Sequence, residues 1–424
     1  MMRILMVSPH PTYSPRGTPI SVLNRCRALS ALGHEVDLVT YGIGEDVPVP
    51  GLRYLRAPVP GIRQVKVGPS AAKLPLNAAV FARTLAVLLR RRSRYDVLHT
   101  HEEAGPFGAV ISRVFRLPHV YDMGNDLDVV LGNYGLGAGH PLRRIARSVE
   151  SGTIRSADVV VAHFPSLAAR VRDVDPNTHC EVAFNVPLVA HVRDDLVTHY
   201  RNAWGLEGKA AVVYTGTLET YQGIDNLLDA VAVGARNFKL VLIGGSPVQQ
   251  ETLRTRVSTE GLADDVLVVG QLPSEHIPSC LAAADILVSP RATGTNTPLK
   301  IFEYMHSGRP IVATRIPSHT AVLDDEVSIL TGPEPEQLAA GLAMAVNGGA
   351  AIAAKGLAAA SRAIEQYGAL GYLRAVASAY SRIAGFPAAE SINFDAARAR
   401  LAGQSDGPHT VVIPDPNSAT LSNR

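Results

Sequence analysis

Short apolar runs alternate with amphipathic segments along most of the chain, and this alternation limits the possible folds more than any other feature. Residues 3–8 predict a buried strand, residues 20–32 an amphipathic helix that ends at Gly33, and residues 34–41 the next strand. A second series of the same kind begins with a predicted strand at 211–215. Parallel strands carry such continuous apolar runs because helices cover both faces of their sheet. The predicted fold class is therefore α/β, with Rossmann-like, doubly wound sheets.

The chain has 424 residues, which predicts two domains rather than one. Two short segments also echo each other: ADVVV at 157–161 and ADILV at 284–288 each follow a predicted helix and begin a predicted strand. Two similar domains with a cleft between them are the expected architecture. Residues 337–383 are alanine-rich and predicted to be helical, whereas the tail from 386 to 424 lacks a core pattern and is expected to be disordered.

Composition excludes several classes of protein. The net charge of +2 argues against a nucleic-acid-binding protein, and the 46% hydrophobic content indicates a globular chain. The three cysteines are widely spaced, fit no zinc or disulfide pattern and suit a reducing compartment. The N-terminal apolar run is too short for a signal peptide, and no apolar stretch approaches the length of a membrane span. A cytoplasmic protein, soluble or peripheral on the inner face of a membrane, is expected.

The segment 293–314, TGTNTPLKIFEYMHSGRPIVAT, carries the clearest chemical pattern. Thr297 is predicted to cap a helix whose first residue is Pro298, and Gly308 to end it. Lys300 and Glu303 then share a face that differs from the buried one. Free N–H groups at a helix start and a lysine suit a phosphate, and a carboxylate further along suits the hydroxyl groups of a neighbouring ribose. An ordinary helix with a surface Lys–Glu pair is the alternative interpretation of the same residues.

These motifs together resemble those of family-4 glycosyltransferases, which are retaining enzymes of the GT-B fold. The resemblance covers about residues 3–383 and rests on three pieces: the Pro/Gly loop 9–19, the turn 216–223, and the segment 299–314. It implies transfer of a sugar from a nucleotide diphosphate by same-face attack, in which the leaving phosphate helps to deprotonate the acceptor. No protein nucleophile is then needed. Glu303 matches the family's ribose-binding glutamate.

The resemblance also implies the domain boundaries. Residues 1–187 would form the acceptor-side domain, completed by C-terminal crossover helices at about 366–385. Residues 188–365 would form the domain that binds the nucleotide sugar.

Several positions depart from the family pattern. Thr295 stands where the family has a first glutamate, Thr217 and Gln222 stand where it has an arginine and a lysine, and Gly124 replaces a frequent histidine. Because a departing diphosphate needs its charge stabilised, we expect other groups to do so. The candidates are Lys300, Arg291, the N–H groups after Thr297 and, from the other domain, Arg16; Thr295, Asn296 and backbone amides would bind the sugar.

The predicted site is therefore a defined set. Catalytic roles are predicted for Lys300, Glu303, Asp122 and Asn125. Donor binding is predicted for Arg16, Gly17, Gly216, Thr217, Gln222, Gly244, Leu272, Arg291, Thr295, Asn296, Thr297, Pro298, Leu299, Lys300 and Glu303. No cofactor and no metal are predicted, because the cations and the helix start can hold the diphosphate, and the Asp126-Leu127-Asp128 triplet is interpreted as a chance occurrence.

The predicted partners are a nucleotide-sugar donor and a glycan, lipid-linked or small-molecule acceptor. Residues 47–95 contain ten cations and no carboxylate, and a helix predicted at 76–92 places Phe81, Leu85 and Leu88 beside arginines. These features predict either contact with an anionic membrane or only a solvated basic edge. Two other functions remain open: another enzyme on the same fold, such as an epimerase or a phosphorylase, and a non-catalytic protein that binds sugar nucleotides.

Overall fold

The computed structural model describes residues 1–12, 17–63, 65, 70, 72–133, 136–137, 139–184, 186, 192–234, 237–294 and 296–404. Two compact units divide the chain. Unit 1 contains residues 1–185 together with 369–407, and unit 2 contains residues 186–368. The predicted α/β class with two Rossmann-like units is confirmed.

Unit 1 is built on a seven-stranded parallel sheet in the order β3-β2-β1-β4-β5-β6-β7. Its strands are β1 (Arg3–Val7), β2 (Glu35–Tyr41), β3 (Leu52–Ala57), β4 (Val97–His101), β5 (His119–Met123), β6 (Val159–Ala162) and β7 (Cys180–Val182). Its first helices are α1 (Gly17–Ala31), α2 (Lys73–Arg91), α3 (Gly105–Phe115), α4 (Leu127–Asn133), α5 (Pro141–Ser156) and α6 (Pro165–Val174). The strand order reverses between β1 and β4, and this is the point where such sheets bind ligands.

Unit 2 is built on a six-stranded parallel sheet in the order β10-β9-β8-β11-β12-β13. Its strands are β8 (Ala210–Gly216), β9 (Phe238–Gly244), β10 (Val266–Gly270), β11 (Ile286–Ser289), β12 (Ile311–Thr314) and β13 (Ile329–Thr331). Its helices are α7 (Asp194–Ala203), α8 (Ile224–Val233), α9 (Pro247–Thr259), α10 (Ile277–Ala283), α11 (Leu299–Ser307), α12 (Pro317–Thr320), α13 (Pro335–Asn347) and α14 (Gly349–Tyr367). Here the order reverses between β8 and β11.

The last helices of the described chain belong to unit 1. Helices α15 (Ala369–Tyr380) and α16 (Phe394–Gly403) pack against α1. The Tyr380 hydroxyl lies 2.6 Å from Nδ1 of the buried His99, and Arg400 donates a 2.7 Å hydrogen bond to the carbonyl of Ala31. The expected disorder from residue 386 onward is therefore wrong for α16, while residues 405–424 lie outside the described part of the chain.

No single helix among the described residues is both long enough and apolar enough to span a membrane. Helix α13 taken together with the stretch Gly349–Tyr380, which contains α14 and α15, has the length and the apolar composition of a span, but the two parts are bent by 101° at the break between them.

Candidate functional site

Glycines shape the carboxyl edge of the unit 2 sheet. Gly216 and Gly244 end β8 and β9, lie side by side in register, and have φ angles of +136° and +126°. A Cβ at Gly244 would lie 2.0 Å from the carbonyl oxygen of Gly216, so the two strand ends approach more closely than any side chain allows. This edge therefore leaves backbone, rather than side chains, next to the point where the strand order reverses.

Helix α11 is fixed against this edge by its buried face. Ile301, Phe302 and Met305 are buried, and the Tyr304 hydroxyl accepts a 2.8 Å hydrogen bond from the backbone N–H of Thr215 in β8. The predicted cap is wrong: Pro298 has an extended ψ of 144° and is itself the capping residue, so the helix begins at Leu299. The Thr297 hydroxyl is buried and finds no hydrogen-bond partner among the described residues.

Lys300 lies in the angle between α11 and β8. Its ammonium group lies 3.9 Å from the centre of the Tyr214 ring and donates a 3.0 Å hydrogen bond to Oε1 of Gln222, which is also buried. A Cβ at Gly216 would lie 3.4 Å from this nitrogen. Burial, and next the nearby Arg291, lower the pKa of Lys300 well below its usual value. The described part of the chain offers it no ion pair within 4 Å, so an anion would be a favourable neighbour.

Arg291 organises the loop between β11 and α11. It donates to the carbonyls of Thr293 at 2.8 Å and of Asn296 at 2.9 Å, and its guanidinium lies 5.4 Å from the centre of the Tyr221 ring. Burial lowers its pKa. Two of its donors are therefore used to hold the loop, and its charge remains available to a ligand.

Glu303 lies one turn after the start of α11. Its side chain is half-buried and makes no hydrogen bond to the described residues. Burial raises its pKa to about 7, against the lowering effect of Lys300. A carboxylate that is partly shielded from water and has no hydrogen-bond donor from the protein can accept hydrogen bonds from ligand hydroxyl groups.

The other predicted donor-site residues fall in several places. Thr217 is exposed and lies within 3.4 Å of Nε2 of Gln222, while Leu272 is half-buried just after β10. Gly17 begins α1 in unit 1, and Pro298 and Leu299 form the start of α11. Arg16 and Thr295 lie outside the described residues.

Asp122, near the end of β5, is held by neighbouring side chains through both of its carboxylate oxygens. It is fully buried, and Arg25 and His163 bind its two carboxylate oxygens at 2.9 and 2.7 Å. Burial alone would raise the pKa of Asp122, but Arg25 first and His163 next hold it well below its usual value. In this geometry Asp122 is the partner of a buried arginine, and its catalytic role stays a prediction.

Sequence reasoning missed the residues that surround Asp122. His10 follows β1, His101 ends β4, and Glu102 comes next, so the three flank the reversal point of the unit 1 sheet. Asn125, predicted to be catalytic, donates a 2.9 Å hydrogen bond to Glu102. The signal was present in the strand sequence DVLHTHEE, where alternate histidines lead to a glutamate at a strand end. The described residues contain two groups of side chains whose spacing suits a metal ion, and both groups lie at this edge of the unit 1 sheet.

Comparisons with known proteins agree with this architecture. The family model for the glycosyl transferase 4-like domain matches residues 16–185, and that for glycosyl transferases group 1 matches residues 209–347. A 2-deoxystreptamine N-acetyl-D-glucosaminyltransferase of Streptomyces fradiae is 28% identical over 65% of this chain and 69% of its own length. A D-inositol 3-phosphate glycosyltransferase of Acidothermus cellulolyticus is 28% identical over 78% of both chains.

Solved structures share the fold. Sucrose-phosphate synthase from Thermosynechococcus elongatus superposes with a TM-score of 0.74 at 19% identity, over 90% of this chain and 99% of the other. The Anabaena protein HepE in complex with UDP gives a TM-score of 0.68 at 18% identity, over 90% of this chain and 100% of the other. The two family models, the related transferases and the paired Rossmann-like sheets lead to one conclusion: this chain is a GT-B glycosyltransferase and belongs to glycosyltransferase family 4.

Proposed function

We propose that the chain is a retaining glycosyltransferase whose donor is a nucleotide-diphosphate sugar bound at the carboxyl edge of unit 2. The observation that carries this proposal is the start of α11, where two charged residues lie within one helical turn. Among the described residues, the buried Lys300 has no ion pair and the half-buried Glu303 has no hydrogen bond. The structurally similar HepE was solved in complex with UDP, which supports a donor of this class.

In this proposal the diphosphate lies against the N–H groups of Leu299 and Lys300 and beside the Lys300 ammonium. The positive end of the helix and a buried cation would stabilise the charge that develops on the leaving group. Glu303 lies four residues beyond Leu299, about 6 Å along the axis, which suits contact with the ribose hydroxyls. The leaving phosphate would take the acceptor proton, so the protein supplies position and charge rather than a nucleophile.

The acceptor is proposed to be a hydroxyl-rich molecule that is free, part of a glycan, or linked to a lipid. The names of the two related enzymes specify 2-deoxystreptamine and D-inositol 3-phosphate, which are both polyhydroxylated six-membered carbon rings. We therefore rank ring polyols first among the candidates for this chain.

A panel of nucleotide sugars tested with and without acceptors examines the function directly. We expect release of nucleoside diphosphate that depends on the acceptor, and a product whose anomeric configuration, measured by NMR, equals that of the donor. Inverted configuration would contradict the retaining mechanism. Tight donor binding without turnover on a broad acceptor panel would instead support a non-catalytic binding protein, and conversion of the donor sugar without an acceptor would support an epimerase.

We also propose that unit 1 binds an anionic membrane surface, through a surface that keeps the predicted Leu85, Arg90 and Arg91 but not Phe81, Leu88 or Arg92. Leu88 is fully buried and Phe81 stacks on Phe107 with ring centres 4.4 Å apart, so neither can insert into lipid. Arg92 donates to the carbonyls of Phe115 and Arg116 and is structural. The basic segment is thus partly held within the fold.

Exposed apolar and basic side chains remain on α2, α3 and α5; α3 packs against α5, and Phe81 of α2 stacks on Phe107 of α3. The exposed apolar side chains are Leu74, Leu85, Leu89, Val110, Val114, Leu142, Ile145 and Val149. The exposed cations without an ion pair among the described residues include Arg83, Arg90, Arg91, Arg113 and Arg144. Helices α2 and α3 contain no carboxylate, and Glu150 of α5 is buried. Exposed apolar groups among cations match an anionic lipid surface in charge and polarity.

Vesicle sedimentation tests this surface. Wild-type protein should bind vesicles that contain phosphatidylglycerol and should bind them less at high salt. It should not bind neutral vesicles. Replacing both Leu142 and Ile145 with Glu should abolish binding, whereas Val248→Glu, at a position in unit 2 that is 76% exposed, should not. Absence of binding to anionic vesicles at low salt would refute membrane contact and leave the arginines as a solvated edge.

A further inference from the structure

Three potential metal ligands meet at the reversal point of the unit 1 sheet. His10, His101 and Glu102 each offer a nitrogen or oxygen atom, and these atoms all lie within 4.8 Å of one another. His10 and His101 are brought together because β1 and β4 are neighbours, with Val7 paired to Thr100. The pairing of β1 with β4 thus brings the segments that carry these residues together.

His101 provides the second, independent observation. It has no exposed surface, and neither of its ring nitrogens has a hydrogen-bond partner among the described residues. A buried polar group without a partner carries a substantial free-energy cost, so a native structure keeps one for a reason. An ion bound to one nitrogen would remove the part of this cost that belongs to that nitrogen.

The neighbours of the other two ligands already orient them. Ser8 Oγ lies 3.2 Å from Nδ1 of His10, and Asn125 donates to Oε1 of Glu102. Nε2 of His10 and Oε2 of Glu102 therefore face each other, 3.1 Å apart. In a tetrahedral site with bonds of about 2.0–2.1 Å, ligand atoms are separated by roughly 3.3–3.4 Å, so only a small opening is required.

We propose that His10, His101 and Glu102 bind one divalent transition-metal ion such as zinc, because two imidazoles and one carboxylate are ligands that suit this class of ion. Three protein ligands leave a fourth position open. The proposal does not depend on the transferase reaction, and it is separate from the donor diphosphate of unit 2, for which no metal is predicted.

A second, overlapping group consists of His101, Asp122 and His163. It is the weaker candidate, because Asp122 already binds the buried guanidinium of Arg25 at 2.9 Å and His163 at 2.7 Å. The two groups share His101 only, so variants of Glu102 and His163 distinguish them.

The experiment measures metal binding to chelator-stripped, full-length protein. Zinc is titrated in competition with a chromophoric chelator, and cobalt binding is followed by its visible absorption. We expect one equivalent per chain with both metals, and ligand-field bands of a four-coordinate site for cobalt. Glu102→Gln should weaken binding by at least about 100-fold, since loss of a supporting group alone costs up to that much.

Matched variants control the result. His163→Gln should change the affinity less than about tenfold, and His199→Gln, at an exposed histidine of unit 2, should not change it. His101→Ala should abolish binding, and if it fails to fold, Glu102→Gln at the half-buried position carries the test. Absence of stoichiometric binding by the wild type, or a loss caused by His163→Gln and not by Glu102→Gln, would overturn the proposal.

Discussion

Two carboxylates, each next to the ligand-binding edge of a parallel sheet, have opposite surroundings. Asp122 in unit 1 is fully buried and both of its oxygens are bound by cationic or histidine groups. Glu303 in unit 2 is half-buried and has no hydrogen bond to the described residues. Accordingly the pKa of Asp122 lies well below its usual value, and that of Glu303 is raised to about 7. The paired buried charge of Asp122 maintains the fold, whereas in the proposed function the carboxylate of Glu303 accepts hydrogen bonds from the donor.

The strongest test of this comparison removes the paired charge. Asp122→Asn should lower the free energy of unfolding of unit 1 by about 3–5 kcal/mol, because Arg25 is left buried and uncompensated. Hydrogen exchange of unit 1 peptides in urea measures the loss. Asp46→Asn, which breaks an exposed pair with Arg56, should cost at most about 1 kcal/mol. Equal effects of the two substitutions would show that the Arg25–Asp122 pair is not structural.

The second test concerns the dependence of stability on pH, which should have opposite signs for Glu303 and for Asp122. The folded-state pKa of Glu303, about 7, exceeds its ordinary value of 4.5, so the folded protein holds this proton more tightly. Its ionisation should therefore reduce the stability of unit 2 as pH rises from 4.5 through 7. Between pH 4.5 and 8, Glu303→Gln should gain on the order of 3 kcal/mol relative to wild type.

The fluorescence of Trp204, the single tryptophan, monitors this transition because the residue is buried in unit 2. Asp122→Asn provides the contrast, since a carboxyl group with a lowered pKa stabilises at neutral pH and loses that contribution in acid. If the difference in stability between Glu303→Gln and wild type stays constant with pH, burial does not raise the pKa of Glu303.

The third test separates the two ligand-facing groups of α11. Lys300→Met should weaken binding of a nucleoside diphosphate by about 1.5–3 kcal/mol and leave the nucleoside almost unaffected, because a charge-assisted contact is lost. Glu303→Ala should weaken both ligands by a similar amount, since both contain the ribose. Titration calorimetry measures the affinity of both variants for the two ligands, and circular dichroism checks that the variants are folded. Equal loss for the two ligands with Lys300→Met would refute its phosphate role.

The smallest expected effect belongs to Thr297. Its buried hydroxyl has no partner among the described residues, so the isosteric change Thr297→Val should leave the stability of unit 2 within about 0.5 kcal/mol. If the hydroxyl instead awaits a donor phosphate, the same variant should lose about 0.5–1.5 kcal/mol of nucleoside-diphosphate binding. Thermal unfolding with and without UDP measures both quantities. A large loss of stability without ligand would mean that Thr297 has a structural partner.

Local patterns in the sequence predicted the sheets but not the contacts between distant segments. The strands were predictable because runs such as Ile4 to Val7 are completely buried. The pairing of Arg25 with Asp122 was not, because the residues are 97 positions apart and meet only through the sheet. The start of α11 was misplaced by one residue, since proline suits both an extended cap and a first helical position. Helix α16 has only Ala397 and Leu401 buried, too few for a recognisable pattern.

The discontinuity of unit 1 has a consequence for how the protein is made. Residues 186–368 are continuous and emerge from the ribosome before α15 and α16. Helix α15 supplies Tyr380 against His99 and Tyr372 beside Arg25, with 5.2 Å from the ring centre of Tyr372 to the guanidinium. Unit 2 can therefore fold during synthesis before the last two helices of unit 1 have been made. Nascent chains stalled so that residues 1–368 have just left the ribosome should resist protease in unit 2 and be cut in unit 1, which reverses the usual N-to-C order of domain folding.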